Sequence, residues 1–326
     1  MHEQNNRRII AIAGAAGSGK DTAALIIEFL LNSNELAHKY PHKNYFGERE
    51  QQFIDDLQTM QYIDVAQKYL LNEFCSWKIC HYADALKKIV SILTNIRVEK
   101  LNDRAIKDSP INNWKMYSIY NDELKSQVYF RCIEDCELYA EQHNIQQYQI
   151  RQIDVTPRIL MQYIGTELLR NQFNQNVWID VLFNSTYQGD MIIADLRYQN
   201  CLDDVKNRGA LCVKIKTCVA QLALRWWATL DYQQARYWLT KWLIDVYKIE
   251  PSKINITDKQ LEDIEYIEVI DMYEAYIHSK HSSDNQLDDK HFDYVIENDG
   301  RIDELYFKIK QMLIEKQLFI PVKRNN

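Results

Sequence analysis

The sequence predicts an α/β fold, a three-layer sandwich with a parallel sheet between helices, and two observations support this prediction. The apolar run Ile9–Ala13 has the length and branching of a buried parallel strand, and it is followed by a glycine-rich turn and a helical pattern over Thr22–Leu31. Short apolar runs of the same kind recur along the chain, separated by helical segments. These runs lie at Trp77–Ala83, Met191–Asp195, Leu211–Ile215 and Phe292–Ile296.

The composition is that of a globular protein, since 46% of the 326 residues are apolar, which is ample for a sizeable core. The net charge of −7 argues against broad nucleic-acid binding, but a small basic pocket remains compatible with it. No apolar run approaches the ~20 residues of a membrane-spanning helix, so we expect a cytoplasmic protein without a membrane partner. Seven cysteines, an odd number, indicate reduced thiols. Cys132 and Cys136 could be helical neighbours that bind a metal, but no second cysteine or histidine pair has convincing zinc spacing, so a core role is favoured.

The stretch GAAGSGKDT is the strongest functional signal, because a strand, a glycine-rich loop and a helix together are the context of a P-loop. Backbone N–H groups can surround a triphosphate where no Cβ intrudes, and the helix N-terminus adds partial positive charge. Lys20 is then expected to reach the β and γ phosphates. The alternative is a glycine turn that binds nothing. The predicted nucleotide-binding residues are Gly14, Ala15, Ala16, Gly17, Ser18, Gly19, Lys20, Asp21 and Thr22.

The hydroxyl near Mg²⁺ is assigned to Thr22, although the simplest P-loop pattern has Ser or Thr directly after the lysine. Asp21 occupies that position here. The order is similar to adenylate-kinase-like sequences, in which one residue separates the lysine from a threonine.

The chain between the first two strands contains a polar connection, Asn32–Gln52, and then a helix expected near Phe53–Phe74. After the second strand, Asp84 opens another helix as an acidic N-terminal residue. A helix-capping Asp84 and a solvated Lys87 are the alternative to a role in binding.

Two long segments depart from the strand and helix alternation. Asn102–Gln147 contains no strand-like apolar run, so we expect a mostly helical insertion that caps the core, with Arg104 and Lys107 on one helical face. Thr217–Lys280 is rich in tryptophan and tyrosine at helical spacing, and a packed satellite or partner surface is favoured over base stacking there. The chain then returns to the core with its last strand, a turn at 298–300, and a terminal helix over Ile302–Lys316.

The segment Thr156–Asp180 predicts a helix with a well-marked beginning, because Thr156 is a good N-cap and Pro157 a good first helical residue. An apolar stripe follows, with polar side chains on or beside the other side. The strand Met191–Asp195 ends in a carboxylate and is followed by Arg197. In a P-loop fold such an aspartate orients Mg²⁺ and its water, although many parallel strands end in Asp.

Five blocks, in order, resemble the bacteriophage and viral deoxynucleoside monophosphate kinases. The P-loop indicates only nucleoside triphosphate binding, whereas the third and fourth blocks together point to this family. The blocks are GAAGSGKDT at 14–22, HYADALK at 81–87, TPRILMQYIGTELLR with NVWID at 156–180, IIADLRYQN at 192–200, and HSSD with FDYVIENDG at 281–300.

The resemblance implies transfer of the γ-phosphoryl group from ATP·Mg²⁺ to a (deoxy)nucleoside 5′-monophosphate. It implies catalytic roles for Lys20, Arg170 and Arg197, and a metal site at Thr22 and Asp195. The implied substrate-binding residues are Asp84, Lys87, Arg158, Gln162, Thr166, Glu167, Arg170 and Trp178. Two departures stand out, since Cys201 and Asp284 occupy positions where the family has glutamate, and the polar network around Arg197 is therefore expected to differ.

The expected organisation is one P-loop kinase domain over 1–326, located in the host cytoplasm if the protein is viral. The expected substrates are a dNMP or NMP, together with ATP and Mg²⁺. Nucleic acid and membranes are not expected partners, and a homodimer remains possible. The predicted core comprises 7–34, 76–100, 150–216 and 290–326, and the predicted helical insertions, a substrate cap and a lid, comprise 35–75, 101–149 and 217–280.

Two rival functions are carried forward. One is a P-loop kinase for another small acceptor, such as dephospho-coenzyme A or a phosphomevalonate-like compound, but those sequences do not resemble the block at 156–180. The other is a nucleotide-dependent regulator that has lost turnover, for which Cys201 and the tryptophan-rich insert are the hints. Retention of Lys20, Arg170, Asp195 and Arg197 together argues for catalysis.

Overall fold

The computed structural model describes residues 7–40, 46–70, 76–120, 128–185, 187–278 and 287–321. Within these residues, a five-stranded parallel sheet forms the centre of the molecule. Its strands are β1 (Ile9–Ala13), β2 (Trp77–Cys80), β6 (Asp190–Leu196), β7 (Leu211–Lys216) and β8 (Tyr294–Glu297). Their spatial order is β2-β6-β1-β7-β8, which confirms the predicted parallel core.

The central strand β1 is buried on both faces, and none of its residues is more than 6% exposed. Ile10 and Ile12 belong to one core, whereas Ile9, Ala11 and Ala13 belong to another on the opposite face. A strand covered on both faces needs apolar residues at every position, which explains its uninterrupted apolar run. The sandwich therefore has the three layers that the sequence predicts.

Helices form the two outer layers. The layer that packs on Ile10 and Ile12 contains α1 (Lys20–Lys39), α2 (Glu48–Thr59), α3 (Tyr62–Leu70) and α14 (Ile302–Glu315). The opposite layer contains α4 (Ala83–Thr94), α8 (Val177–Phe183) and α9 (Gln199–Asn207). Because all five strands run the same way, their carboxyl ends share one edge, and the loops that follow them meet there.

The single helix expected near Phe53–Phe74 is two helices, α2 and α3, separated at Met60, whose backbone is extended. Buried Asp56 stabilises the pair, since its carboxylate accepts hydrogen bonds from Lys68 at 2.5 Å and from the Tyr69 hydroxyl at 2.7 Å. The final part of the expected helix, 71–74, lies outside the described residues.

A second, antiparallel sheet corrects the expectation of a mostly helical insertion over 101–149. It consists of β3 (Lys115–Tyr120), β4 (Tyr129–Phe130) and β5 (Gln149–Asp154), in the order β4-β3-β5. Strand β5 has no buried residue, so no apolar run marks it in the sequence. Two helices accompany this sheet, α5 (Arg104–Asp108) and α6 (Ile133–Gln142).

The helix predicted from Thr156 begins as expected, because the Thr156 hydroxyl accepts the backbone N–H of Ile159 at 3.2 Å. α7 (Pro157–Gln162) continues directly into a π-helical stretch, Tyr163–Phe173. Gly165 lies where this helix passes α4, and a Cβ at Gly165 would come 2.8 Å from Leu86 Cδ2. Wide π turns are frequent at functional sites.

The tryptophan-rich segment is helical and packed, as predicted. It contains α10 (Val219–Trp227), α11 (Tyr232–Tyr247), α12 (Asp258–Glu262) and α13 (Tyr266–His278). Trp226 and Trp242 are buried in its own core, and Trp238 packs edge-on against Trp226. Across the described ranges, no helix is both long and apolar enough to cross a bilayer.

Candidate active site

A cavity of about 960 Å³ opens where the P-loop, β6, α4, α7 and the π-helical stretch meet. Most of the predicted site residues line it, although they come from distant parts of the sequence. These residues are Ala16, Lys20, Asp21, Thr22, Asp84, Lys87, Arg158, Gln162, Thr166, Arg170, Trp178, Asp195 and Arg197. The predicted residues outside its lining are Gly14, Ala15, Gly17, Ser18 and Gly19 of the P-loop backbone, together with Glu167.

The predicted P-loop, residues 14–22, contains two glycines with a left-handed backbone. Gly17 and Gly19 have φ angles of +82° and +87°, in the left-handed region that favours glycine. Asn298 donates to the Ser18 carbonyl at 2.8 Å, and a Cβ on Gly19 would come 2.5 Å from the same amide nitrogen. The loop is therefore held from behind by the turn after β8.

Two more side chains from the start of the tryptophan-rich segment support the loop. The Thr217 hydroxyl donates to the Ser18 carbonyl at 3.2 Å, and Arg225 donates to the Gly17 carbonyl at 3.2 Å. Arg225 also donates to the Asn298 carbonyl at 2.9 Å. The sequence does not predict these supports, because nothing local indicates that residues more than 190 positions away bind the loop.

Lys20 is the first residue of α1, and its side chain is only 13% exposed. Its ammonium group lies 3.7 Å from the carboxylate of the more exposed Asp21. Thr22, two residues later, lines the same cavity. A lysine and a hydroxyl are thus brought together at one helix N-terminus, which is a favourable position for phosphate groups.

Asp195, near the end of β6, is 8% exposed and lines the cavity. Its two carboxylate oxygens accept the backbone N–H groups of Tyr82 at 2.8 Å and Ala83 at 3.1 Å. Asp195 therefore holds the first turn of α4, a structural role that the sequence does not indicate. Each carboxylate oxygen has a second lone pair, so these bonds leave acceptor capacity for a further ligand.

Asp84 connects two cationic side chains on the α4 side of the cavity. It accepts the backbone N–H of His81 at 3.1 Å, and it lies 3.5 Å from both His81 Nδ1 and Lys87 Nζ. Burial acts to lower the pKa of His81, but the hydrogen bond to Asp84 and the negative charges of Asp195 and Asp84 outweigh it and raise that pKa. Lys87 is only 14% exposed, so it is not the solvated cation of the alternative interpretation.

A cationic cluster, formed by Lys87, Lys107, Arg158 and Arg197, surrounds one part of the cavity. Burial, followed by the positive charges of the other three members, lowers the pKa of Lys107 to about 8. Arg158 donates to both carboxylate oxygens of Asp108, at 2.5 and 3.3 Å. The sequence predicts Lys107 on a helical face but gives no indication that it belongs to the site.

Arg170 is held by two neighbours beyond its own helix. It donates to the Asn200 side chain at 3.2 Å, and its guanidinium carbon lies 3.6 Å from the centre of the Tyr198 ring. Cys201 is buried beside it, and burial raises the pKa of this thiol to about 12. A neutral thiol thus replaces the expected glutamate near Arg170, whereas Asp284 lies outside the described residues.

Trp178 and Gln162 also line the cavity, and each has a polar group with a specific environment. The Trp178 indole N–H donates to the Gly165 carbonyl at 3.0 Å, which gives Trp178 a role in supporting the π-helical stretch. Gln162 lines the cavity, and its buried Oε1 has no hydrogen-bond partner within the described part of the chain. Such an acceptor is available to a ligand that carries a hydrogen-bond donor.

Two comparisons with known proteins point to the same family. A family model described as deoxynucleotide monophosphate kinase matches residues 8–221. A protein of Acanthamoeba polyphaga mimivirus, named provisionally as a deoxynucleotide monophosphate kinase, is 27% identical over 97 residues. That alignment covers 26% of this chain and 50% of the viral protein, so the match spans about half the length of this curated relative.

Proposed function

Since the chain belongs to the deoxynucleotide monophosphate kinase family, we propose that it transfers the γ-phosphoryl group of ATP to the 5′-phosphate of a (deoxy)nucleoside monophosphate. One observation supports this most strongly. The P-loop lysine and the cationic cluster line a single cavity, so donor and acceptor phosphates have a common space in which to meet. Holding two reactants together supplies much of the catalysis of phosphoryl transfer.

On the donor side, Lys20 and the backbone N–H groups of the P-loop bind the β and γ phosphates of ATP. The positive φ angles of Gly17 and Gly19 let the loop adopt the tight turn that phosphate-binding N–H groups require, and Asn298 fixes the loop through the Ser18 carbonyl. The charge of Lys20 offsets the negative charge that the phosphates bring into a half-buried site.

Thr22 and Asp195 provide the hydroxyl and carboxylate oxygens that suit Mg²⁺, which takes few protein ligands and keeps several waters. In the described ranges, no group of three or more His, Cys, Asp or Glu side chains converges as a metal site. Thr22 and Asp195 both line the cavity, and they would hold the ion together with water and the phosphates. When bound there, Mg²⁺ would neutralise charge on the phosphate oxygens.

The transfer itself requires no covalent nucleophile from the protein, because an acceptor phosphate oxygen attacks the γ-phosphorus in line with the leaving oxygen. Arg170 and Arg197 stabilise the negative charge that spreads over the transferred group. The planar guanidinium of Arg170 stacks on Tyr198, which fixes its orientation before substrates arrive. Preorganised charge of this kind is usually the largest catalytic contribution.

On the acceptor side, the cationic cluster binds the monophosphate, and Asp84, Gln162 and Thr166 contact the sugar or base. Gln162 Oε1 and the Thr166 hydroxyl offer hydrogen bonds from one helical wall. Glu167 lies outside the cavity lining, so we assign it to the support of that wall. The walls contain both donors and acceptors, as recognition of a nucleoside requires.

A coupled assay of ADP release across the common NMPs and dNMPs tests the proposal, with Lys20→Ala as the inactive control. We expect ATP consumption that depends on at least one monophosphate. Activity with dephospho-coenzyme A or phosphomevalonate and none with nucleotides would support the rival kinase. ATP binding without turnover on any acceptor would support a regulator instead, for which buried Cys201 next to Arg170 is the observation in favour.

A further inference from the structure

The inserted segment that contains the antiparallel sheet also places Lys107 in the lining of the cavity. Lys107 lies on α5, a short helix that packs against α7 and against the 3-10 turn Val98–Asn102. Its side chain is half-buried and lines the cavity. Its ammonium group forms no hydrogen bond or ion pair with any residue that the structure describes.

The charged groups that face Lys107 come from four elements. Lys87 on α4, Arg158 on α7 and Arg197 after β6 are positive, and Asp108 on α5 is negative. Asp108 is already engaged, because Arg158 binds both of its oxygens. Asp84 likewise lies 3.5 Å from Lys87, so both carboxylates have a closer cationic partner than Lys107. The positive neighbours and burial still disfavour the charged form of Lys107, and a further anion bound beside it would favour that form.

We propose that Lys107 binds the 5′-phosphate of the acceptor monophosphate, so that the inserted segment completes the acceptor site of the kinase. This inference rests on the proposed function for the identity of the ligand. Its physical basis is independent of turnover, because a phosphate dianion offers an ammonium group both a counter-charge and hydrogen-bond acceptors. Lys107 then contacts substrate from an element outside the parallel core.

A pH dependence follows from the position of Lys107. Burial and the neighbouring cations place the pKa of the free lysine at about 8, and a bound phosphate dianion raises it. Below pH 8 the lysine is already charged when the monophosphate arrives. Above pH 8 it is mostly neutral, so binding takes up a proton and the dissociation constant rises by up to about tenfold per pH unit.

The test is titration calorimetry of the full-length protein with each of the four common dNMPs and with inorganic phosphate, at pH 7 and pH 9. The variants are Lys107→Met, Lys107→Arg and, as a matched control, Lys100→Met, which removes an exposed lysine from the turn before α5. ATP affinity and circular dichroism check that each variant is folded.

We expect Lys107→Met to weaken dNMP binding at least about tenfold at pH 7 and less than about threefold at pH 9, where the wild-type lysine is itself mostly neutral. Lys107→Arg keeps its charge at both pH values, so its affinity should vary less between them than that of the wild type. Lys100→Met should match the wild type. Wild-type titrations at pH 8.5 in two buffers of different ionisation enthalpy should show proton uptake, which Lys107→Arg abolishes.

Binding and turnover separate the two claims. If the wild type phosphorylates a monophosphate and Lys107→Met binds that monophosphate within twofold of it, the inference is overturned and the function stands. If the wild type binds dNMPs without turnover, the function fails, and the loss in Lys107→Met still decides the role of this lysine. A wild type that binds neither dNMPs nor phosphate overturns both.

Discussion

The carboxylate of Asp195 accepts the backbone N–H of Ala83 at 3.1 Å, so the carboxyl end of β6 holds the first turn of α4. The same residue is the proposed metal-orienting carboxylate. One side chain therefore connects the metal side of the cavity to the helix that carries Asp84 and Lys87. Substitution of Asp195 should consequently affect both metal use and stability.

We expect Asp195→Asn to raise the Mg²⁺ concentration needed for half-maximal activity, because a neutral amide holds and polarises a metal-bound water less well than a carboxylate. The amide also presents its NH₂ group to one of the two backbone N–H donors, so the free energy of unfolding should fall by about 1–3 kcal/mol. A Mg²⁺ titration and a denaturant melt measure the two effects. The control is Asp203→Asn on the exposed side of α9. An unchanged Mg²⁺ titration would remove Asp195 from the metal shell.

Lys20→Ala should lower kcat by about 10²–10³-fold, because it removes the positive charge next to the transferred phosphoryl group. The fold should be nearly unaffected, since Asn298 and Thr217, not Lys20, bind the P-loop backbone. Steady-state kinetics and thermal melting test this expectation, with exposed Lys39→Ala at the other end of α1 as the control. A variant with full activity would contradict the assignment of the P-loop.

Asn298 provides a test of the support behind the P-loop. Asn298→Ala leaves the Ser18 carbonyl with only the longer hydrogen bond from Thr217, and we expect the KM for ATP to rise about five- to tenfold. Asn298→Asp should be worse, because its carboxylate faces that carbonyl. The KM for the monophosphate is the internal control. Equal changes in both KM values would indicate general unfolding of the site instead.

The pair formed by His81 and Asp84 should be visible in the pH titration of the histidine. The folded-state pKa of His81 is raised, so its contribution to stability is complete below about pH 6.5 and is lost as the pH rises through the raised value. The pKa of Asp84 is lowered despite burial, chiefly by His81, so its contribution is present above about pH 4 and is lost in acid. The pair should therefore be most stabilising between these limits.

Asp84→Asn should lower the pKa of His81, because burial then acts without its strongest opposing partner. NMR titration of the eight histidines, with His81→Ala to assign the signal, measures this shift. A His81 signal that titrates identically in the wild type and in Asp84→Asn would mean that the two side chains do not interact in solution.

The parallel core and the P-loop were predictable from sequence because their signals are local. β1 and β6 are almost wholly buried, so each has an apolar sequence. The glycines mark the turn that follows β1. Thr156 and Pro157 likewise mark the start of α7 over a few residues. The family blocks predict the residues around the cavity, and the structure brings most of them together.

The features that the sequence did not predict depend on contacts between distant segments. β5 has no fully buried side chain, only the half-buried Ile150 and Ile153, and it pairs with β3, so it lacks a clear apolar run. Asn298 and Arg225 support the P-loop from 208 to 280 residues away. The environment of Lys107 is not predictable from its own segment, because the cations around it belong to other elements. The sequence pattern within one segment carries no information about its contacts with distant segments.

Arg170 has two interpretations from the sequence, a residue near the phosphates or a helix-surface ion pair with Glu167. An exposed pair of that spacing contributes only ~0.2–0.5 kcal/mol. Arg170 instead lines the cavity, donates to Asn200 and lies 3.6 Å from the centre of the Tyr198 ring. Its planar group is thus held in one orientation, as bidentate binding of a phosphate requires.

Lysine keeps the charge of Arg170 but loses both the planar fork and the stacking on Tyr198. Arg170→Lys should therefore lower kcat/KM for the monophosphate at least ~10-fold, which corresponds to about 1.4 kcal/mol, with ATP affinity near that of the wild type. Arg208→Lys is the matched control, because Arg208 lies over the Phe183 ring at 3.9 Å and binds Asp204 on the surface of α9. Loss of stacking alone should appear in that control as a change in melting temperature without a kinetic effect. A loss below twofold in Arg170→Lys would return this residue to a structural role and leave the acceptor phosphate to Arg158 and Lys107.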